Sequence, residues 1–167
     1  MKKLAILMCM ILLPPSLWGC GNKTDDFTEP VKFYYEKKDI SYNSEFGVLE
    51  PEVREGAGFQ GNATAFMHAY LRGPESDSLQ GIIPSDVYLV SCTIDGDAAY
   101  ITLSSQFANL TGMKLTTACS AVLRSLHDYT GIDTLTIRAK DQKLEDQDEI
   151  VMTMDDIVLI DTVIIDE

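Results

Sequence analysis

The chain has little of what most catalytic and metal chemistry requires. Among its 167 residues are two histidines, His68 and His127. A Ser, His, acid relay needs a histidine within hydrogen-bond reach of the nucleophile and a third group to orient it. Neither histidine accompanies a nucleophile elbow or a protease signature, so both are expected to be exposed helix residues and no catalytic site is assigned. Four cysteines are present, but Cys9 and Cys20 fall in the first twenty residues. The remaining pair, Cys92 and Cys119, matches no paired C-x-x-C zinc pattern. Asp95, Gly96 and Asp97 lack the spaced oxygen ligands and closing glutamate of an EF-hand loop. No metal and no cofactor is expected. Lysine and arginine together number 13 against 26 acidic side chains; such a surface repels nucleic acid and anionic lipid headgroups. There is no convincing internal repeat and no extended low-complexity block.

Long hydrophobic runs are also missing. The apolar stretch Leu4 to Leu13 is followed by Pro14 and Pro15, well short of the roughly 20 residues that a membrane-spanning helix needs. With Lys2 and Lys3 before it and a small residue, Gly19, before Cys20, it reads as an export signal over residues 1–19. The placement of Leu17, Gly19 and Cys20 resembles the lipobox of bacterial lipoproteins, in which the cysteine thiol carries a diacylglycerol; Trp18 occupies a slot that usually holds a smaller residue. The resemblance implies lipidation at Cys20 and a place on the outer face of the cell membrane. Each buried acyl methylene contributes about 0.8 kcal/mol, so two chains hold a protein there. The alternative is an ordinary secretory signal cleaved nearby.

Without Lys2 and Lys3 the chain keeps 11 basic and 26 acidic side chains, a formal charge of −15. About 145 residues then remain, which suits one domain. Residues 20–30 are polar and turn-rich and read as a tether, with a root-mean-square reach of roughly 17 to 19 Å.

What is present is a sequence of well-marked elements. Val31 to Lys37 alternates and is aromatic, as a first strand should be; the segment after it is polar and turn-like, and a short apolar patch, Val48-Leu49, precedes Pro51. A helix follows, with Asn62 placed to cap its start and Gly73-Pro74 to stop it. Phe66, Met67, Tyr70 and Leu71 share one of its faces, and His68 lies off that face. In "DVYLVSCTIDGDAAYITLSS", Asp95-Gly96 supplies a two-residue turn between alternating runs. That turn predicts pairs Cys92 with Ala99, Val90 with Ile101 and Tyr88 with Leu103, all on the buried face with Ile94. A second helix ends near Gly131, with Leu115, Ala118, Cys119, Val122, Leu123 and Leu126 in one stripe. Leu135 and Ile137 mark a closing strand in Asp133 to Lys140.

The order strand, helix, hairpin, helix, strand predicts an α+β domain: one antiparallel or mixed sheet with two helices packed on one face. Cys92 and Cys119 then fall on facing surfaces, either as two apolar thiols or as a disulfide, since export permits one where Cα atoms lie within about 7 Å. The extension 141–167 alternates acidic turns with β-branched runs, "EIVMTM" and "DIVLIDTVII". One or two added strands are expected there, or else an edge that binds a partner. Asp155, Asp156, Asp161, Asp166 and Glu167 suit a solvated acidic border. The N-x-T triplets at Asn22, Asn62 and Asn109 are discounted as glycan acceptors.

Tyr70 to Phe107 resembles the GerM-type (GerMN) domain of sporulation and spore germination proteins. The residues that carry the likeness are Leu71, Gly73, Pro74, Leu79, Ile83, Pro84, Leu103, Ser104 and Phe107. Gly47 to Glu55 and the stretch from Leu123 to Lys140 extend it, so that it covers residues 31–140. Many members have a glycine after the final strand, where this chain has Asp141-Gln142. The resemblance implies a non-catalytic extracytoplasmic module of envelope assemblies, whose partners are other envelope or sporulation proteins or a second copy of itself. A small-ligand-binding lipoprotein is the alternative, and it requires a concave pocket.

Overall fold

The computed structural model describes residues 29–39 and 47–157. The export signal, Cys20, most of the tether, part of the segment after the first strand, and most of the second run of the extension with Asp161, Asp166 and Glu167 lie outside the described residues.

The architecture is α+β, as expected, but its strands are divided between two sheets. The first contains β1 (Val31–Lys37), β2 (Leu49–Arg54) and β3 (Leu79–Gln80) in the order β2-β1-β3, all antiparallel. The second contains β4 (Leu89–Asp95), β5 (Ala98–Leu103), β6 (Thr134–Ala139) and β7 (Ile150–Thr153) in chain order. β5 and β6 run parallel and the other neighbours antiparallel, so this sheet is mixed. β7, from the run "EIVMTM", is one of the strands expected in the extension.

Helix α1 (Ala63–Leu71) begins where Asn62 Oδ1 accepts the Ala65 N–H and ends before Gly73. Helix α2 (Gly112–Thr130) closes on Gly131 at φ +77°, a conformation that glycine adopts at little cost. The expected stripe of α2 is buried, and so are Ser120, Ala121 and Ser125. That wider burial follows from the two sheets: α2 meets β6 and β7 on one side and β1 on the other. Small residues let β1 approach. The Tyr34 N–H, on the side of β1 away from β2, donates to Ser125 Oγ at 2.9 Å, and the Tyr34 carbonyl accepts from the Tyr70 hydroxyl at 3.2 Å. Both helices thus supply polar groups to a strand edge that would otherwise be buried with unmet hydrogen bonds.

The hairpin departs from the expected register. Cys92 pairs with Ile101 and Ile94 with Ala99, and the turn residues are Gly96 and Asp97. Gly96, the first of them, has φ +60° while Asp97 keeps an ordinary φ; this is the type II′ arrangement, with glycine first. A bulge between Leu89 and Ser91 reverses the alternation beyond it. Leu89 therefore points inward, and Val90 and Tyr88, expected in the core, are exposed.

Pro51 lies inside β2, opposite Tyr34, a position open to proline because β2 is an edge strand. After β6 the chain makes two tight turns. Asp141 takes φ +57°, and Glu145 and Asp146 take +48° and +72°. Asp141 thus holds a left-handed conformation that glycine would adopt at little cost. The second turn has a purpose for α2. Leu144 is fully buried, and the Glu145 carboxylate beside it accepts the Gly112 N–H, while the Thr111 side chain caps nothing. A carboxylate there also meets the positive end of a 19-residue helix.

The two acidic residues of this turn should respond oppositely to glycine. Asp146→Gly removes the left-handed strain alone and is expected to raise stability by roughly 0.5 to 1 kcal/mol. Glu145→Gly relieves similar strain but removes the helix cap, a loss of about 1 kcal/mol, so it should gain nothing. Urea denaturation of the two variants checks this; equal stabilisation by both would remove the capping role.

Candidate interaction surface

Among the described residues, one face of the four-stranded sheet is covered and the other is open. Ala99, Ile101, Leu103, Leu135, Ile137, Ala139 and Met152 are buried beneath the helices. Side chains alternate along each strand, and the register assembles the opposite face into three rows. Thr93, Tyr100, Thr136 and Val151 form the central row. Ser91, Thr102 and Arg138 form a second, where Arg138 Nε donates to Glu149 Oε2 at 2.7 Å. Asp95, Ala98, Thr134 and Thr153 form the third.

Tyr88 (59% exposed), Val90 (43%), Tyr100 (45%) and Val151 (57%) are four of the six large apolar side chains exposed among the described residues, and all belong to this face. Thr136, between Tyr100 and Val151, is nearly shut off from water at 7%. Clustered exposed apolar groups of this kind mark contact surfaces. Sequence reading missed the surface because it placed Tyr88 and Val90 in the core and singled out neither Tyr100 nor Val151. The alternation itself was a usable signal: Tyr100 falls between the inward Ala99 and Ile101.

The structure also locates the other residues considered from sequence. Cys92 lies half-buried on β4 and Cys119 fully buried on α2, both as free thiols. Burial pushes Cys92 up to about 11 and Cys119 up to about 12, so neither is a thiolate nucleophile at neutral pH. His68 is exposed. His127 is not: its side chain is 35% exposed, and Nδ1 lies 2.7 Å from the Ile132 carbonyl and 3.3 Å from Asp133 Oδ1. It ties the end of α2 to the start of β6.

Asp97 is structural, since its carbonyl accepts from the Asp133 and Thr134 N–H groups at 2.8 and 3.1 Å. The Asp156 carboxylate accepts from the Thr153 N–H and hydroxyl at 2.8 and 2.7 Å, bonds that hold its pKa below the usual carboxylate range. Among the described residues no group of three or more His, Cys, Asp or Glu is placed to hold a metal, and no helix is long and apolar enough to cross a membrane.

A groove of about 470 Å³ lies between the first sheet and the start of α2. Val48, Ile82, Leu110 and Met113 line it, with the charged groups Glu36 and Lys114. Glu36 Oε2 accepts from Gln80 Nε2 at 2.9 Å.

Buried hydroxyls and thiols predict an alkaline weakness. Tyr34 is raised to about 12, first by burial and then by donating to Asp128 Oδ2 at 2.9 Å, and burial raises Tyr35 to about 12. With folded values above unfolded ones, the stability these groups contribute is complete below about pH 8, where thiols and phenols stay protonated in either state. It is lost as pH rises toward 12. The urea midpoint is expected to fall steadily between about pH 9 and 11; a constant midpoint over that interval would refute this.

Comparison with known proteins agrees with the architecture. Residues 32–145 match the family model "Germane: Sporulation and spore germination". The first GerMN domain of the sporulation protein GerM from Bacillus subtilis superposes with a TM-score of 0.54 at 17% identity, covering 72% of this chain and 92% of that one. The tandem GerMN domains of the same protein give a TM-score of 0.53 at 15% identity, covering 72% of this chain and 43% of the tandem. No curated protein matches the sequence. The matched span takes in both helices and every strand except β7, and on that ground the chain belongs to the Germane family of sporulation and spore germination domains.

Proposed function

We propose that the protein is a non-catalytic interaction module, lipid-anchored through Cys20 on the outer face of the cell membrane, which contributes to an envelope assembly of sporulation or germination. The open sheet face carries the reading: Tyr88, Val90, Tyr100 and Val151 leave apolar area toward solvent where no described element covers them. Aromatic side chains on a face poor in charge have the composition of an interface core. The lipobox-like residues before Cys20 and the family membership support the location.

Two measurements test it. Mass spectrometry of the mature amino terminus should find a diacylglycerol on Cys20, and Cys20→Ala should release the protein from membranes. A photo-crosslinker in place of Tyr100 should capture protein on those membranes, while one in place of Met113, exposed elsewhere, should not. An unmodified Cys20 would refute the anchor; capture from neither position, or equally from both, would refute the surface.

The groove beside Lys114 favours a second reading, a small-ligand-binding lipoprotein. Its volume falls in the range of ligand pockets, and Glu36 and Lys114 give it one charge of each sign. Saturable binding of a zwitterionic small molecule, lost in Lys114→Glu, would establish this second function.

A further inference from the structure

We propose that the open face of the four-stranded sheet docks a second copy of the same chain, sheet against sheet. The inference rests on the interaction reading above and names its partner. Charge is the first argument. The whole chain carries −13, and two such molecules repel wherever their acidic surfaces approach. The three rows of the open face hold one carboxylate, Asp95 at a corner, with the Asp156 carboxylate bonded to Thr153 at the other end of the same row, and the Arg138–Glu149 pair, which is neutral as a unit; the central row carries no charge. This is therefore a patch on which two identical acidic molecules can meet with little repulsion across the contact itself. A basic partner would instead be drawn to the acidic surface around it.

Shape is the second argument. Thr93, Tyr100, Thr136 and Val151 stand in one row on a continuous pleated surface. Threonine, valine and tyrosine are the residues that fit such surfaces, and two sheets stack face to face about 10 Å apart. A pleated platform of this type suits another platform better than it suits a small solute. Four strands about 4.8 Å apart with a rise of about 3.3 Å per residue give a projected area of roughly 400 Å². That is about half the 800 Å² per partner of an ordinary stable interface. The pairing is thus weak in dilute solution and favoured where copies are confined together.

The test uses the full chain in membranes or nonionic detergent, with single cysteines introduced by Tyr100→Cys, Val151→Cys and, as the control, Met113→Cys. A bis-maleimide should produce a covalent species of twice the chain mass from the first two variants and not from the third. Adding Val90→Lys should lower that yield roughly ten-fold, by placing like charges in the contact. Raising salt from about 0.05 to 0.5 M should increase it, because screening weakens repulsion between the acidic bodies. An equal yield from Met113→Cys, or a yield that falls with salt, would overturn the proposal. Capture only of a different protein from Tyr100→Cys and Val151→Cys would overturn self-docking while leaving the interaction surface in place; no capture from either would remove both.

Discussion

Arg54→Ala is expected to cost about 3 to 5 kcal/mol of folding stability, a large share of the total for a domain of this size. Arg54 and Glu52 pair on β2 with side chains only 11% and 10% exposed. Their worth lies in what each also holds. Arg54 Nη2 donates to the Gly73 carbonyl at 2.8 Å, and its guanidinium carbon lies 4.7 Å from the centre of the Phe33 ring. Glu52 Oε2 accepts the N–H groups of Glu75 and Ser76 at 2.9 and 2.8 Å. The pair thereby fastens the end of α1, and the loop after it, to the first sheet. Alanine at 54 leaves the Glu52 carboxylate without its cation and uncovers the aromatic ring beneath. Because the cost comes mainly from an uncompensated charge, the double variant Glu52→Gln/Arg54→Met should be more stable than Arg54→Ala alone. Urea denaturation decides the matter: a loss below about 1 kcal/mol would show the pair to be no more than a surface contact.

Phe66→Ala should be as severe, about 3 to 5 kcal/mol. Phe66 is fully buried, and its ring lies 4.4 Å from that of Phe33 on one side and 4.4 Å from that of Tyr129 on the other, with Phe59 edge-on at 5.7 Å. One ring thus joins α1, β1 and the end of α2. Alanine removes the middle of the stack, and the flanking rings belong to separate elements that cannot all move into the space. Phe66→Leu fills most of the volume and should cost less than half as much. The prediction fails if the two variants unfold at the same urea concentration.

These two sites show what the sequence made legible and what it did not. Phe66, Met67 and Tyr70 were readable as a buried helix face because their spacing belongs to one side of a helix, and the Asn62 cap was readable because its chemistry is local. The Glu52–Arg54 clasp was not. Its strand contains proline and alternating charges that resemble a loop, and its role depends on Gly73, Glu75 and Ser76 from beyond α1. The hairpin lies between these cases. Choosing Asp95-Gly96 instead of Gly96-Asp97 as the turn displaces every pair by two residues, yet a shift of two preserves the faces, so Cys92, Ile94, Ala99, Ile101 and Leu103 were still assigned inward. Tyr88 and Val90 were lost to the bulge, which no alternation pattern announces. The division into two sheets escaped notice because β3 has only two residues and β2 reads as a turn.

The parallel neighbours β5 and β6 are separated in the chain by all of α2. A polypeptide made from its amino end can close the β4–β5 hairpin early, within microseconds, but β6 must arrive before the partner side of β5 is occupied. Until Ala139 has followed, the backbone of β5 presents its donors and acceptors to any passing strand. Bringing β6 home requires closing a loop longer than the 19 residues of α2, whose entropy has to be spent before the ladder returns anything. A nascent chain halted before β6 is accordingly the form most exposed to misassembly, and prompt folding of α2, which shortens that loop, is its natural safeguard.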